Sequence, residues 1–186
     1  MKKLALYNTE SVDRLAWPPE NTGITMHSNA LSIFTDFKKF TPLVIDASTK
    51  AVELEGLMKR SHVRMELVLD SEQNFIGIVS LSDISEQRIL AKVTKNQPRE
   101  EITVTDFMRS KNSLKAFSYE DLRAASVGDV VETLRDNHQQ HCLVIDKSNH
   151  EIRGLISASD VARILKLPVD IQLQPSFVDL FNVAAA

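Results

Sequence analysis

The sequence predicts a mixed α/β fold: two β-α-β-β-α units packed as a pseudo-two-fold pair. Three observations predict it. The chain repeats part of itself. Each copy passes from helical to strand-like apolar spacing in the same order. And 43% apolar with 25% charged residues over 186 positions is the balance of a globular protein with a sizeable core.

The repeat is clearest where Phe75-Ile76-Gly77-Ile78-Val79-Ser80-Leu81-Ser82-Asp83-Ile84 matches Ile152-Arg153-Gly154-Leu155-Ile156-Ser157-Ala158-Ser159-Asp160-Val161. Two of the five glycines fall at equivalent places. Upstream, Leu67-Val68-Leu69-Asp70 matches Leu143-Val144-Ile145-Asp146. Downstream, Arg88-Ile89-Leu90 echoes Arg163-Ile164-Leu165, after two extra residues in the first copy. Thr35-Asp36-Phe37 likewise echoes Thr105-Asp106-Phe107.

The elements follow in order. Residues 1–34, with Trp17-Pro18-Pro19, form an extension ahead of the repeat. The first unit spans 35–91. Its leading strand is expected at 42–45, and Ala51, Leu54, Leu57 and Met58 recur at helical spacing. A strand ending at Asp70, polar turn residues 71–74 and a second strand through 76–79 follow, and a closing helix begins near Ser82. Residues 92–101, polar and broken by Pro98, are the expected linker.

The second unit spans 102–166. Its leading strand is expected at 116–119, followed by a helix on Val127, Val130, Val131 and Leu134, capped by Ser126 with Asp129 three residues on. A hairpin through Asp146 and Ile152 to Ile156 precedes a closing helix near Ser159. In the tail, 167–186, Phe177, Leu180 and Phe181 share one helical face, to dock on the chain's own core or on a second chain. A unit of roughly 55 residues buries too little to be robust alone, so two copies sharing a core give the duplication a physical reason.

The pattern Gly, two apolar residues, Ser, two residues, Asp occurs twice: Gly77, Ser80, Asp83 and Gly154, Ser157, Asp160. With the helix-hairpin-helix order around it, the chain over about residues 35–166 resembles a tandem pair of CBS domains, the family named after cystathionine β-synthase. The paired form is called a Bateman module. The resemblance implies clefts between the halves that bind adenine nucleotides (AMP, ADP, ATP) or S-adenosylmethionine as regulatory ligands, flat homodimers, and no catalysis. The regulated protein is then expected to be a separate, unknown partner.

The chemistry of these residues suits such ligands. A helix start offers unpaired backbone N–H groups to phosphate, and a serine hydroxyl there donates as well. An ionised aspartate is a pure acceptor, able to take both hydroxyls of a ribose. The resemblance implies that Asp83 and Asp160 hold ribose and that Ser80 and Ser157 lie near phosphate. Ser-x-x-Asp before an apolar helix is equally a capping arrangement worth ~1 kcal/mol, and the two roles coexist.

Arg64 and His141, near the start of each first hairpin strand, fall where the resemblance implies phosphate contacts. Arg64 brings a bidentate fork. His141 is expected to bind when protonated, so that binding weakens above neutrality. The alternative for both is a solvated surface side chain. A second functional reading is a ligand-free dimerisation scaffold in which serines and aspartates are caps only.

Other classes find little footing. A net charge of −3 lacks the basic excess that nucleic acid or an acidic membrane surface asks for. No window approaches the roughly 18 apolar residues that span a bilayer. Cys142, the one cysteine, leaves no intramolecular disulfide and suggests a reducing, cytoplasmic setting, as a packed core thiol. His138-x-x-His141 lacks a third ligand at metal spacing, so no metal or other cofactor is expected beyond the nucleotide. No catalytic motif was recognised, and an enzyme is not expected.

Overall fold

A computed structural model describes residues 5–6, 14, 16, 23–61, 63–93, 98–135, 140–169 and 175–184. Trp17-Pro18-Pro19, the Lys95-Asn96-Gln97 part of the linker and His138 lie outside the described residues. The chain builds two four-stranded sheets, each backed by its own helices.

The first repeat contributes β2 (Val44–Asp46), α1 (Ala51–Ser61), β3 (Met65–Leu69), β4 (Phe75–Ser80) and α2 (Glu86–Lys92). The second contributes β6 (Ala116–Ser118), a short α3 (Tyr119–Ala124), α4 (Val127–Leu134), β7 (His141–Asp146), β8 (Glu151–Ser157) and α5 (Ala158–Ile164). In each, the leading strand runs parallel to the first hairpin strand, and the hairpin is antiparallel. Asp70 and Asp146 fold the hairpin turns by accepting backbone N–H bonds from the residues that follow. Gln73 and His150, four residues before each repeat glycine, take left-handed φ of 65° and 53°.

Local signals account for the helices. Ser126 caps α4 by accepting from Asp129 N at 3.1 Å while Asp129 accepts from Ser126 N at 2.7 Å, and all four apolar positions of this helix are buried. In α1, Ala51, Leu54 and Met58 are fully buried, but Leu57 is 45% exposed on the outer face. The closing helix of the first repeat begins at Glu86, later than its sequence suggests. Ser80 and Asp83 fold the intervening residues into a turn, and Ser85 becomes the cap by accepting from Arg88 N at 3.3 Å.

Each repeat borrows its fourth strand from the segment leading into the other. β1 (Thr35–Asp36) pairs with β8 of the second repeat, and β5 (Arg109–Ser110) pairs with β4 of the first. The residues before them cross as well. Ala30 N donates to Ala125 O and Val127 N to Ser28 O, as Ala51 N donates to Ile102 O and Val104 N to Thr49 O. Ala30 and Ile33 therefore sit in the second repeat's core, and Ile102 and Val104 in the first's. Asp36 secures its crossing with a bidentate pair to Arg153 at 2.8 and 2.9 Å, and the guanidinium also lies 4.6 Å over the Tyr119 ring.

The repeat glycines mark these crossings. A Cβ on Gly77 would lie 2.5 Å from Arg109 O, and one on Gly154 would lie 2.2 Å from Thr35 O. Alternate strand residues face two ways: Val68, Val79, Val144 and Ile156 toward their own helices, and Leu67, Ile78 and Leu143 into a shared layer between the repeats. Helix α6 (Phe177–Ala184) packs on α4 and α5, burying Phe177 and Leu180 in the second core.

Candidate ligand cleft

At the end of the sheets where the strands turn into the closing helices, the repeats leave a cleft of about 420 Å³. Leu43, Val63 and Met65 of the first repeat and Leu155 of the second form its apolar wall. Arg64 joins His141, Ser157, Ser159, Asp160 and Arg163 as its polar side. Four of the six residues selected from sequence thus meet in one place: Arg64, His141, Ser157 and Asp160.

Arg64 NH1 donates to Ser159 Oγ at 3.3 Å, reaching across the repeats. Ser157 stands at the N-cap of α5 without a side-chain capping bond. Asp160 meets Arg163 at 2.6 Å on a surface that leaves its side chain 40% exposed, a pair worth little and easily exchanged. Since α5 is 7 residues long, Arg64 and Arg163 rather than the helix end supply most of the positive charge.

His141 is 9% exposed, and its Nδ1 has no hydrogen-bond partner. Burial, with Arg109 and Arg64 nearby, pushes its pKa down to about 4 against the opposing pull of Asp83. The imidazole is therefore neutral at pH 7. The expected protonated contact is corrected: desolvation beside two guanidinium groups removes the charge and leaves Nδ1 buried without a hydrogen-bond partner. Cys142, next along β7, is buried and pushed up to about 11, which makes it a packed thiol.

Ser80 and Asp83 do not line this cleft. Asp83 accepts from Ser80 N at 3.1 Å and from Ser80 Oγ, which closes a turn ahead of the helix that Ser85 caps. Arg109 Nε lies 3.4 Å from Asp83 Oδ2, and Arg88 lies 3.8 Å from Oδ1. Arg109 was not selected from sequence. It follows the Thr105-Asp106-Phe107 echo, but its place beside Asp83 depends on a pairing between segments far apart in the chain.

A larger cleft of about 870 Å³ opens at the opposite end, where the two hairpin turns diverge around Gln73, Asn74, Lys147 and His150. None of the six selected residues lines it. Among the described residues no three His, Cys, Asp or Glu side chains form a metal-binding group, and no helix is long and apolar enough to cross a membrane.

The CBS domain family model matches two segments, residues 36–89 and 120–167, together more than half of the chain. The chain belongs to the CBS domain family. The two matched segments carry the two Gly-x-x-Ser-x-x-Asp corners, one in each CBS repeat. Solved CBS-pair structures share the fold. An uncharacterised conserved protein of Pyrococcus horikoshii aligns with a TM-score of 0.56 at 19% identity, over 79% of this chain and 98% of its own. CBSX2 of Arabidopsis thaliana, in a complex with AMP, aligns with a TM-score of 0.52 at 17% identity, over 73% and 94%. The CBS pair of MJ0100, in complex with 5′-methylthioadenosine and S-adenosyl-L-methionine, aligns with a TM-score of 0.52 at 15% identity, over 77% and 97%. No curated protein matches the sequence.

Proposed function

We propose that this CBS pair is a regulatory module that takes up an adenine nucleotide, or an S-adenosylmethionine-like ligand, between its repeats and catalyses nothing. A partner protein reads the resulting shift in the arrangement of the halves. The observation that carries the reading is the composition of the smaller cleft. It joins two arginines, a neutral imidazole, an uncommitted cap hydroxyl and a half-exposed carboxylate against an apolar wall.

In this reading Asp160 accepts the ribose hydroxyls, and Ser157 and Arg64 meet phosphate or the corresponding polar group. His141 lines the cleft as a neutral ring. Leu43, Val63, Met65 and Leu155 pack on the adenine. Because Arg64 belongs to one repeat and Asp160 to the other, a bound ligand ties the halves together. The adenine ligands of CBSX2 and MJ0100 support the ligand class.

Isothermal titration with AMP, ATP and S-adenosylmethionine tests it. Asp160→Ala should weaken the bound ligand roughly ten- to hundred-fold, as loss of charge-assisted hydrogen bonds worth ~1.5–3 kcal/mol requires. If Asp160→Ala and Arg64→Ala both bind every ligand as the parent does, the cleft is the wrong site.

A second role, self-association, is favoured by one feature. Helix α6 covers α4 and α5 of the second repeat, whereas on α1 and α2 of the first Leu57 and Leu90 are 45% and 53% exposed. That uncovered face suits pairing with a second copy of the chain, and it is compatible with the sensor reading.

A further inference from the structure

Duplication made two strand-to-helix corners, and they differ in one respect. The Asp160 side chain is 40% exposed and lines the cleft, whereas that of Asp83 is 18% exposed and lies against two guanidinium groups. The cause lies in the crossed strands. β5 pairs Arg109 with Ile78, the residue after Gly77. β1 pairs Thr35 with Leu155, the residue after Gly154. Arg109 and Thr35 therefore hold the same register position in the two halves. One crossing strand delivers a guanidinium to its carboxylate; the other brings a short, uncharged side chain to the same position.

We propose that Arg109 is an internal occupant of the first corner, holding Asp83 in place of a ligand, so that the chain takes one adenine nucleotide and exchange of this single side chain uncovers a second site. The inference rests on the nucleotide reading of the Asp160 cleft. The ion pair opposes a second ligand electrostatically: Arg109 Nε stands 3.4 Å from Asp83 Oδ2, the oxygen that already accepts from Ser80 N and Ser80 Oγ. The two side chains differ in bulk as well, the arginine stem being longer than Thr35 at the same register position.

AMP titration of the full chain tests it by stoichiometry. The parent should take up one equivalent and Arg109→Thr two. Arg109→Thr with Asp160→Ala should retain one, and the reciprocal Thr35→Arg should lose at least ten-fold in affinity. Arg109→Gln, which keeps the stem without the charge, serves if Arg109→Thr does not fold. A second readout needs no ligand: removing the Arg109 charge should raise the His141 pKa, followed by NMR, because burial, Arg109 and Arg64 hold it down while Asp83 pulls it up. Uptake of one equivalent by both parent and Arg109 variants overturns the inference and leaves the Asp160 cleft standing. A parent that already takes up two, or whose uptake is abolished by Asp83→Ala, also overturns it. No uptake by any variant overturns the nucleotide reading and the second site together.

Discussion

His141 opens β7 within electrostatic reach of Arg64, Arg109 and Asp83, and its ring is almost entirely out of water. A histidine whose pKa is about 4 folded and about 6.5 unfolded takes up a proton on unfolding at intermediate pH. Its contribution is complete above pH 6.5 and declines as pH falls toward 4, by about 2 kcal/mol at pH 5. Urea denaturation of the parent at pH 7 and pH 5, set beside His141→Gln, should show that loss only in the parent. Nucleotide affinity should stay flat between pH 6.5 and 8, where the ring keeps one protonation state. Ser157 and Asp160 were legible as candidates at this scale, because they stand in a repeated local pattern. The state of His141 was not, because burial is decided by segments remote in sequence.

Among elements, the same division holds. α4 was readable to its cap because Ser126 and Asp129 signal locally, and the hairpins because Asp70 and Asp146 write their own turns. The crossing strands β1 and β5 are 2 residues each, too short for any periodicity, and both pair with the opposite repeat. Their trace in the sequence is the pair of glycines, read first as part of a ligand pattern. Gly154→Ala forces its methyl into Thr35 O and the Phe34 ring and should destabilise the fold by about 1–3 kcal/mol in thermal denaturation. Gly56→Ala, in α1, meets only the flexible end of Arg60 at 3.2 Å and should be neutral or stabilising by up to ~1 kcal/mol. If both substitutions cost the same, close approach of the crossing strand is not what the repeat glycine serves.

For the whole molecule, asymmetry between duplicated halves is the recurring theme: one corner carboxylate beside Arg109 and one lining the cleft, and, among the described residues, one helical face covered by α6 and one with exposed leucines. Leu57→Glu with Leu90→Glu should leave the fold intact and turn a dimer into a monomer in light scattering, and an unchanged mass would remove self-association through that face. The crossed connections also bear on how the protein comes into being. Residues 26–36 find their docking surface on α3, α4, α5 and β8 of the second repeat, so during translation this early segment waits for one made much later. Ala30 and Ile33 stay uncovered until then, and the first repeat stays short of an edge strand until residue 110 has been made. The halves are thus obliged to mature together, and a growing chain of this design depends on its second half arriving promptly.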